Sequence, residues 1–310
     1  MEHTRVDRAT AIGPGATAAA AVAAPARWRT VLAVFKLRIG VLITITALGG
    51  LATVSGGSIT ALQVVALALS VMLASASAGA FNQFVEADSD RLMARTRGRP
   101  FASGALPTSL GWLLAILALF VVAVATATWL VNPRAAAFVA LGALTYAVVY
   151  TLGLKRRTAW NIVIGGLAGS FAVLAGAAAA GPQIGPLSLI LAFVLFLWTP
   201  SHFWSLAIAG AKDYAAAGVP MLPVVLGNDR AARIVHANTV ILVTASMLPV
   251  FFGAGWVYAA AALAGGLHFL HRTRRLASAP SRQTAMAAFF ASMVQLSVLL
   301  AGIVVDAALR

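Results

Sequence analysis

The sequence predicts an all-α, polytopic membrane protein in which nine transmembrane helices pack as one bundle. Three observations carry this. Of 310 residues, 61% are apolar and only 10% charged, whereas a water-soluble fold needs a more polar exterior. The apolar residues gather into nine runs, each near the ~20 residues needed to cross a hydrocarbon core. The basic residues fall in alternate loops between those runs.

Residues 1–30 begin polar and turn Ala-rich between Ala9 and Ala26. Alanine is too weakly apolar for a signal-peptide core, so this segment is read as a disordered cytoplasmic tail. Residues 31–310 then form a single transmembrane domain. The predicted spans are 37–55, 61–83, 109–131, 135–153, 160–180, 185–209, 234–252, 254–270 and 286–306. The seventh and eighth are short and meet around Gly253.

With nine spans, all but Arg134 and Arg310 of the 22 Lys and Arg residues lie on one side. The positive-inside rule makes that side cytoplasmic, with the N-terminus inside, the C-terminus outside and the bundle in the inner membrane. The net charge of +14 is therefore topology information and not a nucleic-acid patch. There is no cysteine, which excludes disulfides and thiol catalysis. Any metal must bind through oxygen or imidazole.

Carboxylates are scarce, eight in all. Glu2 and Asp7 are in the tail and Asp306 is at the far end. Glu86, Asp88, Asp90, Asp213 and Asp229 lie in two cytoplasmic loops. Charge placed beside a bilayer is expensive and usually functional. Asn82, Glu86 and Asp90 are spaced by four and share one helix face as the second span ends. Carboxylates at that spacing repel, so cations must offset them. Hard oxygen ligands on one face suit Mg²⁺, which keeps several waters and binds substrate phosphates. Arg91, Arg95, Arg97 and Arg99 follow directly, and guanidinium matches phosphate. The plainer reading, a solvated helix end with internal Glu–Arg pairs, explains neither the adjoining apolar span nor the scarcity of carboxylates elsewhere.

The spacing N-x3-E-x3-D, followed by Met93, Arg95-Thr96 and Arg99-Pro100, resembles the UbiA-type intramembrane prenyltransferases. Its extended form is similar to the protoheme IX farnesyltransferase (haem O synthase) family among them. Four further segments share the resemblance: Phe35 to Ile39; Leu154 to Thr158 with Asn161 to Gly166; Trp198 to Trp204; and Lys212 to Tyr214 with Ala217 to Pro223. It covers about residues 35–230. Ser170 to Ala180 departs from it, standing where the family has a Pro-Pro segment ending in Gly-Trp.

The resemblance implies a bundle around a central cavity, Mg²⁺ as cofactor, farnesyl diphosphate as donor and haem b as acceptor. It implies Mg²⁺ ligation by Asn82, Glu86 and Asp90, with Asp213 as a second site, and a catalytic role for these four with Lys155. Substrate contacts fall to Lys36, Arg38, Arg95, Arg99, Asn161, His202, Lys212 and Tyr214. Partners beyond the substrates are membrane lipid and a downstream haem A synthase or terminal oxidase, with no nucleic acid. Several residues have a second reading. Lys36 and Arg38 serve equally as snorkelling anchors, Asn161 as a helix–helix hydrogen bond, and Asp213 as a salt-bridge partner of Lys212 or Arg233. Arg156 and Arg157 read equally as topology anchors. His202 is an iron ligand or a hydrogen-bonded structural histidine. Trp198, Phe203 and Trp204 read first as packing aromatics. The acceptor also stays open towards an aromatic, quinone-precursor or chlorophyll-like molecule. A transporter would place its carboxylates nearer mid-membrane, and an inert scaffold leaves the motif spacing unexplained.

Overall fold

The structure, a computed structural model, describes residues 27–310 apart from Ser55 and Gly57. The predicted tail lies outside the described residues as far as residue 26, but Arg27 to Thr30 belong to a helix. Among the described residues every regular element is helical. Helices α1 (Arg27–Val34) and α2 (Leu37–Leu51) meet at a 45° bend. Helix α3 (Ala61–Val85) leads into a short α4 (Ala87–Arg91), and α5 (Leu110–Leu130) follows a loop. Helix α6 (Pro133–Leu144) runs on as a π-helix, Thr145–Leu154. Then come α7 (Asn161–Gly165), α8 (Leu167–Ala180), α9 (Pro186–Ala209), α10 (Ala211–Ala216) and α11 (Leu222–Leu226). Helix α12 (Asn228–Ala245) is followed by a 3₁₀ turn, α13 (Trp256–Ser278) and α14 (Arg282–Leu309).

Each predicted apolar run lies largely in helix, but the count of nine spans is not reproduced. Seven segments are long and apolar enough to cross a membrane, and the bent α1–α2 pair makes eight if it is one span. The predicted run 254–270 becomes α13, which continues through His271, Arg272, Arg274 and Arg275. That helix is long enough, but its second half is too polar to qualify.

Helix starts follow local capping chemistry. Thr60 and Gln63 form a capping box at α3, as do Ser281 and Thr284 at α14. At α6 the Asn132 side chain accepts from the Ala135 amide, with Pro133 at the first helical position.

Two large cores, with a smaller one around Phe101, hold the bundle together. Helices α2, α3, α5, α6 and α8 meet over small residues such as Ala47, Ala66, Ala123, Ala135 and Ala175. Helices α9, α12, α13 and α14 meet over larger ones, including Leu191, Tyr258, Phe269 and Leu299. Hydrophobic burial drives little helix association in lipid, so close backbone contact matters more. The closest approach is between α2 and α8. A Cβ at Gly176 would fall against the Ala47 carbonyl, and one at Gly50 against the Val173 carbonyl. Backbone cannot swing aside as a side-chain tip can. We expect Gly176→Ala to cost at least about 2 kcal/mol, read as a lower unfolding temperature in detergent. An unchanged temperature would show that the crossing is looser than drawn.

Candidate active site

The predicted face survives a break in the helix. Helix α3 ends at Val85 and Glu86 caps it, yet the i→i+4 backbone bonds continue from Glu86 N to Asn82 O and from Asp90 N to Glu86 O. Asn82, Glu86 and Asp90 therefore stay aligned and are all buried. Asp88, between them in sequence, points outward and pairs with Arg91 at 3.2 Å.

Cations from distant segments close over this face. Lys155 Nζ lies 2.5 Å from Glu86 Oε2, and Arg99 Nη1 lies 2.7 Å from Asp90 Oδ2. Lys36 Nζ donates to Asn82 Oδ1 at 2.7 Å. The Asn82 amide donates to Glu86 Oε2 at 2.8 Å and to Thr151 Oγ1 at 3.2 Å. Burial pushes the Lys155 ammonium below its ordinary pKa, with the Glu86 carboxylate pulling the other way.

Each cation has a physical reason to be there. Lys36 is the one non-glycine residue with positive φ among the described residues, at φ 48° and ψ 42°. Such a conformation costs roughly 1–2 kcal/mol and persists where its surroundings hold it. Here the Gln83 amide donates to the Ala33 and Val34 carbonyls at 3.0 and 2.8 Å, fixing the end of α1. The Lys36 stem then crosses Gly79, where an added Cβ would meet its Cδ at 3.3 Å.

Arg99 is placed by an aromatic anchor. Phe101 is buried between Phe84 and Trp112, in edge-on contacts with centroids 5.5 and 5.6 Å apart. The loop is tied further by Arg91 Nε donating to Ala102 O at 2.9 Å and Thr96 Oγ1 donating to Asp90 O at 3.1 Å.

Lys155 follows the π-helix, whose i→i+5 bonding is seen in Lys155 N to Tyr150 O at 2.9 Å. This widened turn stacks Tyr146 on Tyr150, with centroids 5.6 Å apart and planes at 11°. Lys36 stands 5.9 Å from the Tyr146 ring and Lys155 stands 6.0 Å from the Tyr150 ring. Asn161 is fully buried and donates to the Thr158 and Lys155 carbonyls at 2.6 and 3.3 Å, holding the end of this segment.

Of the other predicted residues, Arg95 reaches the Tyr214 hydroxyl at 3.5 Å, which joins α10 to the cluster. Asp213, next to Tyr214, is half-buried and makes no ion pair among the described residues, with Lys212 and Arg233 included. Arg38 and Lys212 are exposed and outside the network. His202 also lies outside it. Its ring stacks on Trp198 and Phe289 at 4.2 and 4.5 Å, and its Nδ1 is 2.7 Å from Ser292 Oγ. Tyr146, Tyr150 and Thr151 were not anticipated as site residues. One signal was available, since three of the chain's four tyrosines are in this cluster.

The donor set bears on a metal. Among the described residues no group of three or more His, Asp or Glu gathers to enclose one. Two carboxylates and an amide do share one face, and the buried Asp90 Oδ1 has no hydrogen-bond partner. All are hard oxygen donors. They fit Mg²⁺, which needs only one or two carboxylates when phosphate oxygens complete its shell. The net balance is cationic, with Lys36, Lys155, Arg95 and Arg99 around Glu86 and Asp90.

The UbiA prenyltransferase family profile matches residues 43–294. A protoheme IX farnesyltransferase 2 of Paramagnetospirillum magneticum is 54% identical over 91% of this chain and 98% of its own length. A protoheme IX farnesyltransferase of Alkalilimnicola ehrlichii is 40% identical over 90% of this chain and 92% of its own length. Among solved structures, one described as digeranylgeranylglyceryl phosphate synthase superposes with a TM-score of 0.75 at 18% identity, covering 92% of this chain and 99% of that one. A UbiA homologue from Archaeoglobus fulgidus, bound to GPP and Mg²⁺, gives 0.66 at 16% identity, covering 90% and 99%. These two show the fold, and the profile and curated relatives show the lineage: the chain belongs to the UbiA prenyltransferase family, in the company of relatives named protoheme IX farnesyltransferase.

Proposed function

We propose that this chain transfers the farnesyl group of farnesyl diphosphate to a vinyl group of haem b, forming haem O. The observation that carries the donor half is the buried Asn82–Glu86–Asp90 face with more cations than carboxylates around it. The acceptor half rests on the curated relatives, one of them 54% identical over 91% of this chain.

Lys36, Lys155, Arg95 and Arg99 draw the diphosphate to the cytoplasmic ends of the helices and orient it. Asn82, Glu86 and Asp90 would hold Mg²⁺, with Asp213 as a further carboxylate. When bound, Mg²⁺ supplies Lewis-acid neutralisation of the charge that grows on the leaving diphosphate. Lys155 and Arg99, already beside the carboxylates, stabilise that same charge as the allylic C–O bond breaks. The electron pair leaves with pyrophosphate, and a farnesyl cation remains. The stacked Tyr146 and Tyr150 offer ring faces to it. The terminal vinyl carbon of haem attacks this cation, forming a C–C bond. Water then adds to the resulting carbocation and loses a proton, giving the hydroxyethylfarnesyl group. Apolar helices around the site keep water from quenching the first cation.

Mg²⁺ dependence, the binding roles of Asn161, Tyr214, His202, Arg38 and Lys212, the inner-membrane location with N-terminus inside and C-terminus outside, and delivery of product to a haem A synthase or terminal oxidase belong to the same proposal. The test is haem extraction from cells lacking their own haem O synthase, with and without this chain. Haem O is expected only with it. Purified protein is expected to stop when EDTA removes divalent metal and to resume with added Mg²⁺. Haem b alone, together with farnesylation of an aromatic or quinone-precursor acceptor, would replace the haem assignment.

A further inference from the structure

The cytoplasmic end of the α13–α14 hairpin carries a second cationic site, apart from the one described above. A cavity of about 510 Å³ opens there, lined by His271, Arg272, Arg274, Arg275, Gln283 and Thr284 among others. None of its arginines makes an ion pair among the described residues. Neither α13 nor α14 carries an acidic residue before Asp306, at the opposite end of α14. Three guanidinium groups therefore crowd one cavity with no internal counter-charge.

The helix opposite brings amide donors to the same cavity. Helix α14 is 28 residues long and begins at this cavity. Its capping box satisfies the Ser281 and Thr284 amides, which leaves the Arg282 and Gln283 amides without intrahelical partners. The positive end of this helix dipole offsets the negative end of α13, whose Ser278 also lines the cavity, so the arginines set its net charge.

The surface below the cavity is apolar. On α13 the face of His271 continues through exposed Leu267 and Leu263. On α14 the face of Ala287, which lines the cavity, continues through exposed Phe290, Val294 and Val298. These steps of three, four, seven and eight residues keep each row on one side of its helix. A cationic cavity at the cytoplasmic end of two helices, above paired apolar faces, complements an amphiphile with an anionic head and acyl tails. Basic pockets between membrane helices on this side are suited to acidic lipid headgroups.

We propose that this cavity binds one anionic phospholipid of the cytoplasmic leaflet, its phosphate held by Arg272, Arg274 and Arg275 and its acyl chains lying along Leu267 and Phe290. The site is separate from the prenyl-transfer residues and does not depend on the identity of the acceptor.

The test is native mass spectrometry of the full-length protein in detergent, titrated with dioleoyl phosphatidylglycerol, dioleoyl phosphatidylcholine or inorganic phosphate. One phosphatidylglycerol is expected to bind at least tenfold more tightly than phosphatidylcholine, with no competition from phosphate at equal concentration. Each surface arginine near an acidic lipid contributes about fivefold, so R274Q/R275Q should weaken that binding about 25-fold. R274K/R275K should retain most of it. The charge-matched control R156Q/R157Q, on exposed residues elsewhere on the cytoplasmic side, should lose less than threefold. Unfolding temperatures of all variants would be read alongside, both arginines being exposed. Equal binding of the two lipids, equal loss in both glutamine variants, or displacement by phosphate or by haem would overturn the proposal.

Discussion

Asp90→Asn is expected to lower farnesyl transfer by at least about 10²-fold while leaving membrane insertion intact. Asp90 is fully buried, one carboxylate oxygen is bound by Arg99 at 2.7 Å, and the other has no partner. Asparagine is nearly isosteric, and its carbonyl can keep the Arg99 contact. Two things are lost: the negative charge, and an acceptor at the free position, where an NH₂ would stand. The stability change should stay within about 2 kcal/mol, because Arg99 is partly exposed and recovers solvation. Asp88→Asn is the control. Asp88 is almost fully exposed and bound only to Arg91, so its loss should leave turnover within twofold. Release of pyrophosphate from labelled farnesyl diphosphate, with haem analysis beside it, reads both variants. Turnover within threefold of the parent for Asp90→Asn would remove this residue from the diphosphate site.

The second large effect falls on stability. Lys155→Met should cost about 3–5 kcal/mol, because it leaves Glu86 charged, buried and served only by the Asn82 amide. Burial lowers the Lys155 pKa more than Glu86 raises it. A buried charge costs most when its partner is missing, so removing both charges should be far milder than removing one. The double variant Lys155→Met/Glu86→Gln is expected to recover at least half of the lost stability and none of the activity. Chemical denaturation in detergent gives the four corners of this cycle. A Lys155→Met protein as stable as its parent would show that the Lys155–Glu86 pair does not hold this end of the bundle together.

Much of this was legible in the sequence because it is local. The i, i+4 spacing of Asn82, Glu86 and Asp90 fixes one face whatever surrounds it, and the structure keeps that face through the break at Glu86. Repulsion between like charges called for cations without naming them. Lys155 is 69 residues from Glu86 in sequence, and only the packing of α3 against the π-helix brings them together. In the sequence Lys36 reads as a diphosphate ligand or an anchor. It bonds Asn82, through a left-handed backbone that no residue-level preference for lysine suggests. The predicted span 254–270 is not reproduced because its helix changes character along its axis: α13 begins apolar and ends with three arginines. His202 stands out because of the motif around it, but its hydrogen-bond partner Ser292 and its second stacking partner Phe289 come from α14, a helix on which the sequence carries little signature.

The π-helix between Thr145 and Leu154 makes this stretch a ruler. In an ordinary helix each residue turns the chain by about 100°. A deletion that returned the segment to regular α geometry would rotate everything after it by that amount and carry the Lys155 ammonium off the Glu86 carboxylate. Side chains along the segment are free to vary where they face lipid, as exposed Val148, Val149 and Leu152 do. Its length is not. Across descendants of this chain, the interval from Tyr146 to Lys155 should tolerate many spellings and no change in letter count.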